Sequence, residues 1–444
     1  MVSGRELALK ILNEIDNEGA YSTLSVKKAL DDNDRKDAGF IRELVYGVLK
    51  NQRLIDEIII ESSSIRMKKI HPMILLILRI GIYQIIFMDT IPESAAVDEA
   101  VKLAKKYGHK GTIGFVNGIL RGIASRKTFF MNEDYKSGDH DLGIKFSHPD
   151  YMVRLWIEQY GLDFTRDLLK SNNKVPPFTI RTNTLKVSTK DLMHRLESYG
   201  FETVKGSIAR DSIIVTNPKA MTNLPEFKEG LFTIQDEASM IVTEVINPTA
   251  GSFVIDVCSA PGGKSTHIAQ WTGDNGAVIA RDIYPHKLIL VDGLAKRLGI
   301  KTIKTELWDA LKIDDGLLNK ADYCLVDAPC SGLGLIRRKP DIKWTRSRDD
   351  IRELSLIQSR ILTAASGYVK PGGTLVYSTC TINKEENIDI IRKFLFANKD
   401  FELQPIVLST GKVISKSQSE GFLELYPSIH GTDGFFIAKL VRAV

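Results

Sequence analysis

The chain is predicted to be multidomain: an all-α bundle, a small α/β module, and a C-terminal α/β domain on a doubly wound parallel sheet. Three observations carry this. Apolar residues recur at helical spacing through residues 1–130. Short apolar runs at 178–183 and 212–215 then read as strands among helical segments. From Gln235 onward, helical segments alternate with short apolar runs, the pattern of a parallel sheet covered on both faces.

Taken in order, Ser3-Gly4-Arg5-Glu6 is a capping-box pattern, with Ser3 as N-cap and Glu6 reaching back. Leu7, Ala8, Ile11, Leu12 and Ile15 share one helical face behind it. Periodic runs follow at 40–49, 54–60, 73–88, 95–106 and 112–123, separated by short polar breaks, as in a helical bundle. The run 73–88 is the most apolar, but Arg79, Gly81 and Gln84 interrupt it. It is also shorter than the roughly 20 residues a membrane helix needs, so a buried helix is expected. Residues 131–150 are polar and glycine-bearing, which reads as a linker, and 151–234 form the small module. The domain 235–444 opens with a helical stripe of Ala238, Ile241, Val242, Val245 and Ile246. Its strands are expected at 253–257, 277–280, 302–305, 323–326 and 374–378, with an antiparallel pair at 401–408 and 434–440 closing the sheet.

Composition bounds the function. The 444 residues are 43% apolar and 26% charged, an ordinary globular balance. A net charge of +5 permits a nucleic-acid partner without establishing one. The first ten residues lack the apolar core of a signal peptide. Four cysteines without zinc-like spacing point to reduced thiols, a cytoplasmic location, no metal and no disulfide framework.

Chemistry concentrates at the ends of the expected strands, where open parallel sheets bind ligands. One strand runs into Cys258-Ser259-Ala260-Pro261-Gly262-Gly263-Lys264, a glycine turn opening a helix. It is neither the dinucleotide fingerprint nor a P-loop. Asp256, Asp282, Asp309 and Asp327 stand at successive strand ends. A carboxylate after the second strand can accept from both hydroxyls of a ribose, and one after the third from an adenine amine. A nucleoside cofactor without phosphates, such as S-adenosylmethionine, suits such acids. Another nucleotide, or plain helix capping by these acids, is the alternative. Two further strands lead into Asp327-Ala328-Pro329-Cys330-Ser331-Gly332 and Tyr377-Ser378-Thr379-Cys380-Thr381, which place two thiols toward one pocket. Cys324, in mid-strand, reads as a small buried hydrophobe.

Together these motifs closely resemble the RNA 5-methylcytosine methyltransferases, and within them the RsmB (Sun/Fmu) family of bacterial 16S ribosomal RNA enzymes, over nearly the whole chain. Cys258 to Lys264 is similar to the family's first motif, with Ser259 in place of its usual alanine. Arg181-Thr182-Asn183-Thr184-Leu185-Lys186 and Gln235-Asp236-Glu237-Ala238-Ser239 resemble its signatures before and at the start of the catalytic domain. Arg42 to Leu49 and Phe115 to Arg121 carry a likeness to the NusB RNA-binding fold.

The resemblance implies a NusB-like domain at 1–130, an RNA-binding module at 151–234 and a Rossmann-like S-adenosylmethionine-dependent domain at 235–444. It implies methyl transfer to carbon 5 of a cytosine in 16S ribosomal RNA by a monomer without metal or membrane attachment. A transfer-RNA methyltransferase or a non-catalytic RNA-binding assembly factor is the alternative. Asp282, Asp309 and Asp327 would contact ribose, adenine and the methionine end or target base. Cys380 would be the nucleophile, as the Thr-Cys thiol is in the RNA enzymes. Cys330 would assist release, although its Pro-Cys context resembles the nucleophile of DNA cytosine methyltransferases. RNA contacts are expected from an acid-free basic run at 101–130, including Lys105, Lys106 and Arg121. A second cluster, with Arg337, Arg338, Lys343, Arg346 and Arg348, follows the Cys330 loop as a candidate clamp. Trp344 reads either as a base-stacking or as a core residue.

Overall fold

A computed structural model describes residues 2–31 and 36–444, so Met1 and 32–35 of the expected bundle lie outside the described residues. The chain divides into two compact units. One comprises residues up to Lys174 together with Arg338–Thr345; the other comprises Val175–Arg337 and Arg346–Val444.

The first unit is helical. Helices Gly4–Glu18, Ala38–Ser62, Pro72–Phe87, Glu93–Tyr107 and Lys110–Ala124 bury their apolar stripes in one core. Ser3 caps the first of them, its Oγ accepting from Glu6 N at 3.2 Å. The Glu6 carboxylate does not reach back as the capping-box pattern suggested. It accepts instead from Lys106 Nζ at 2.7 Å and Tyr107 OH at 2.8 Å, because helix packing offers a stronger charged partner. Helix Pro72–Phe87 is buried along most of its length, as expected. Its Arg79 is tolerated there because Asp56 accepts from Nε and Nη2, both at 2.8 Å, and Asp16 from Nη1 at 2.6 Å. The stretch 131–150, expected as a linker, carries a short helix, Leu142–Lys145, and groups with this unit. So do helices Asp150–Tyr160 and Leu162–Asn172, expected in the small module.

Residues 338–345 complete this unit from far along the chain. Lys343 is fully buried there, its ammonium donating to Lys50 O at 2.9 Å, Ser147 O at 3.0 Å and Asn173 Oδ1 at 2.8 Å. Burial pulls its pKa well below the ordinary lysine value. Trp344 packs against the helical core and donates Nε1–H to Leu49 O at 2.8 Å, so it is a core residue. Ser22 Oγ donates to Asp341 at 2.5 Å in the same region.

The second unit holds two sheets. Strands β1 (Phe178–Thr182), β2 (Thr203–Lys205), β3 (Ser212–Val215) and β4 (Phe232–Ile234) form an antiparallel sheet in the order β2-β3-β1-β4. β2 and β4 are three residues long, too short to show alternation in the sequence.

The larger sheet contains β5 (Phe253–Asp256), β6 (Ala277–Asp282), β7 (Ile303–Leu307), β8 (Ala321–Asp327), β9 (Val369–Thr379), β10 (Phe401–Leu403), β11 (Phe422–Leu425) and β12 (Phe435–Arg442). Its order is β10-β12-β9-β8-β5-β6-β7, and β11 also pairs with β12. β5 to β9 are parallel and β12 runs antiparallel to β9. The late antiparallel pair therefore closes the sheet as read from the sequence, and β11 adds a strand that reading missed. Neighbouring residues serve opposite faces. Val254, Leu325, Val376 and Ile437 join one core; Ile255, Cys324, Tyr377 and Phe436 join the other. Strand order reverses between β5 and β8, which opens a crevice at their carboxyl ends.

Replacing Lys343 by methionine removes the donor from three buried acceptors. Its expected cost is roughly 3 kcal/mol of stability, read as a lower urea midpoint with an unchanged slope. A lysine serving RNA instead would leave the midpoint alone and weaken RNA binding.

Candidate active site

Five strand ends build the site. β5 runs into the glycine turn, where Gly262 has φ +101°, a conformation that favours glycine. A Cβ there would also meet Val291 Cα at 3.1 Å. The turn opens helix Gly263–Trp271. Buried Arg181, on β1, braces it by donating to Gly263 O at 2.7 Å, to Thr266 Oγ1 at 3.1 Å and to Gln235. Burial pulls the Arg181 pKa down to about 9. Asn183 Nδ2 donates to Gly230 O at 2.8 Å and Leu298 O at 2.9 Å. Lys186 Nζ donates to Glu229 O at 2.7 Å and Arg297 O at 3.2 Å. These signature residues thus cap the last carbonyls of helix Pro285–Leu298 and join the small sheet to the large one.

Beyond the glycine turn stand the acids. Asp256 is buried at the end of β5, accepts from Ser265 Oγ at 2.6 Å, and is pushed up to about 7 by burial. Asp282 ends β6 and accepts from Tyr284 N at 3.0 Å. Asp309, beyond β7, accepts from Leu311 N at 3.0 Å. Both bonds are turn contacts and neither acid caps a helix, the helix after Asp282 having Tyr284 at its N-cap without a side-chain bond, and each carboxylate keeps lone pairs for a ligand. A cavity of about 370 Å³ is lined by Ile283, Leu307, Trp308, Asp309 and Lys312. Ile283 and Leu307 are about half exposed, at 51% and 56%. Apolar walls beside a carboxylate suit a flat ring bearing an amine.

β8 and β9 end together. Asp327 accepts from Ser378 Oγ at 2.8 Å and from Lys264 Nζ at 2.7 Å, so the glycine turn and both thiol loops meet at one carboxylate. Burial alone would lower the Lys264 pKa, but the charge of Asp327 and its hydrogen bond outweigh it, so the ammonium is held above the ordinary lysine value. Cys330 Sγ and Cys380 Sγ lie 3.0 Å apart, both half-buried. The Cys330 pKa is raised well above the ordinary thiol value, first by its hydrogen bond to Cys380, then by burial, Cys380 charge and Glu386. Cys258 is raised well above the usual range by burial and by Asp256, Asp327 and Asp282. Cys324 is 1% exposed within the sheet core, as read from the sequence.

The basic residues fare differently. Lys105, Lys106 and Arg121 are exposed on the helical unit. Their run is acid-free only locally, for Glu6 pairs with Lys106 at 2.7 Å and Glu99 with Lys102 at 2.6 Å. The second basic cluster does not exist as a clamp. Buried Arg337 donates to Gly431 O at 3.0 Å and to Thr432 O, and Lys343 is buried as described. Arg338 is half-buried in the segment that completes the helical unit. Arg346 donates to Ser331 O at 3.2 Å, and Arg348 pairs with Glu385 at 2.5 Å. Adjacent cations in sequence point to separate carbonyls and acids, which local charge counting does not detect.

Sequence reading also missed Glu386, fully buried behind the thiol loops. Glutamates at the turn of a loop look solvated, and nothing local marks one as buried.

Comparison with known proteins agrees with this geometry. Residues 243–441 match the family model of the 16S rRNA methyltransferase RsmB/F, 3–125 that of the NusB family, and 148–222 that of the RsmF/B-like ferredoxin-like domain. A probable ribosomal RNA small subunit methyltransferase B of Bacillus subtilis is 37% identical over 99% of this chain and 98% of its own. The crystal structure of PH0851 superposes with a TM-score of 0.82 at 29% identity, covering 98% of each chain. A methyltransferase homolog protein from Pyrococcus horikoshii covers 68% of this chain and 98% of its own, with a TM-score of 0.60 at 31% identity.

Because their surroundings raise the Cys330, Cys258 and Cys324 thiols above the ordinary range, limiting iodoacetamide at pH 8 is expected to label these three slowly, with Cys380 labelled first. Peptide mass mapping reads the order. Labelling of Cys330 ahead of Cys380 would overturn this order.

Proposed function

Because the chain belongs to the ribosomal RNA small subunit methyltransferase B family, we propose that it methylates carbon 5 of a cytosine in 16S ribosomal RNA, with S-adenosylmethionine as cofactor and Cys380 as nucleophile. One observation carries this reading: two thiols 3.0 Å apart stand at the ends of paired parallel strands, beside the Lys264–Asp327 ion pair.

The residues fit the cofactor. Asp282 and Asp309 offer carboxylate acceptors to ribose hydroxyls and the adenine amine, Ile283 and Leu307 offer apolar walls, and the turn from Cys258 to Lys264 offers backbone at close approach. S-adenosylmethionine, when bound, supplies an electrophilic methyl group.

Carbon 5 of cytosine is a poor nucleophile. Addition of the Cys380 thiolate to carbon 6 moves electron density onto carbon 5, which then takes the methyl group. Methyl transfer leaves a neutral thioether. A base takes the carbon 5 proton, the carbon 5–carbon 6 double bond re-forms and Cys380 Sγ is expelled as thiolate, with Cys330 assisting this release. Asp327, oriented by Ser378 and Lys264, holds the base edge with its remaining lone pairs. The exposed cations of the helical unit, Lys105 and Arg121 among them, supply phosphate contacts.

Two measurements test this. Asp282→Ala and Asp309→Ala are each expected to weaken cofactor binding about tenfold or more by calorimetry, about 1.4 kcal/mol; unchanged affinity in both removes the assignment. Cys380→Ala is expected to be inactive and adduct-free, whereas Cys330→Ala accumulates a protein–RNA adduct that survives denaturing electrophoresis. Trapping by Cys380→Ala alone would reverse the two roles.

A further inference from the structure

Holding two loop thiols at 3.0 Å requires a fixed framework, because each loop residue costs roughly 1–2 kcal/mol to order. The thiols are separated by 50 residues, and Pro329 and Ser331 flank one while Thr379 and Thr381 flank the other. All four flanking residues are tied to one dipeptide, Glu386-Asn387.

The Glu386 side chain is fully buried. Its Oε1 accepts from Ser331 N at 2.8 Å and from Gln358 Nε2 at 3.0 Å. The same Gln358 amide donates to Pro329 O at 2.9 Å, so backbone on both sides of Cys330 is held through this carboxylate. Its Oε2 accepts from Ser331 Oγ at 2.5 Å and from Thr381 Oγ1 at 3.3 Å, and those two hydroxyls lie 2.9 Å apart. Asn387 secures the other side of Cys380: Thr379 Oγ1 donates to its Oδ1 at 2.6 Å, and its Nδ2 donates to Thr381 O at 3.0 Å. A further link runs from Gly334 N to Cys380 O at 3.0 Å. There a Cβ on Gly334 would meet Gly434 O at 2.0 Å, so only glycine fits.

We propose that Glu386 is the positioning residue of the reaction, holding the Cys330 and Cys380 loops at working distance through Ser331 and Thr381. It makes no hydrogen bond to either thiol and sets their separation through their loops. The inference rests on the reading of the two thiols as the catalytic pair, but its decisive test does not need methyl transfer.

That test is the thiol–disulfide equilibrium with glutathione. Both protein thiols are oxidised to one disulfide while one oxidised glutathione is reduced to two thiols. The equilibrium constant reads the effective concentration of one thiol at the other. Glu386→Ala is expected to lower it at least tenfold, with Glu386→Gln intermediate because its amide oxygen still accepts from Ser331 N. Thr381→Val keeps the carboxylate, removes one of its hydroxyl ends, and is expected to lower it severalfold; it carries the test should Glu386→Ala fail to fold. Turnover is expected to fall in the same order, with cofactor affinity within twofold of the parent. An unchanged effective concentration in Glu386→Ala and Thr381→Val, or lost turnover at parental effective concentration, would overturn the proposal. If the parent protein methylates no RNA, the functional reading falls, while the equilibrium still decides what Glu386 does.

Discussion

The register of β8 against β9 is the constraint on which the site depends. Asp327 lies opposite Ser378, and Val326 opposite Tyr377, in parallel pairing. Cys330 and Cys380 follow that last pair by three and two residues, so both thiols emerge at one sheet edge without any long-range loop folding. A slip of one residue would exchange the faces of a strand. Tyr377, fully buried in one core, would trade places with Val376, buried in the other. Packing on both faces therefore holds the chemistry in place, and Ser378 Oγ on Asp327 marks the correct register with a hydrogen bond of 2.8 Å.

Much of this was legible because it depends on local patterns. The central parallel strands β5, β8 and β9 were recognisable as short apolar runs because both their faces are buried, whereas β7, at the sheet edge, mixes Lys304 and Glu306 into its run. The glycine turn and the acids at strand ends were recognisable because a doubly wound sheet fixes where its loops lie. What was not legible depends on partners far away in sequence. Glu6 follows the capping rule until Lys106, a hundred residues on, offers a better contact. The cations from Arg337 to Arg348 look like one patch, yet the chain passes between two units at Arg338 and Thr345 and scatters them. Glu386 looked like any loop acid, because burial belongs to the helix and strands around it.

The two units also show different uses of buried charge. Arg79 lies between two aspartates, and Lys343 is satisfied by carbonyls and an amide. They let an otherwise apolar bundle keep a unique arrangement, since each cation fits only where all its donors are met. In the second unit Arg181 and Lys264 instead brace the glycine turn and the Asp327 carboxylate, so their burial serves the site.

The thiols differ for the same reason. Four cysteines of one intrinsic chemistry occupy this unit, and their surroundings separate them. Cys324 has only core around it, and burial disfavours its thiolate. Cys258 is raised well above the ordinary thiol value first by burial and then by Asp256, Asp327 and Asp282 around its turn. Cys330 faces Cys380 on one side and the field of Glu386 on the other, and its hydrogen bond to Cys380, burial and these charges raise its pKa well above the ordinary thiol value. Cys380 is left beside Lys264, whose ammonium is held charged by Asp327. A carboxylate that keeps one lysine charged and a second that keeps one thiol neutral thus divide the labour between two identical side chains. The division follows from which loop each carboxylate is attached to, and so again from the register of β8 on β9.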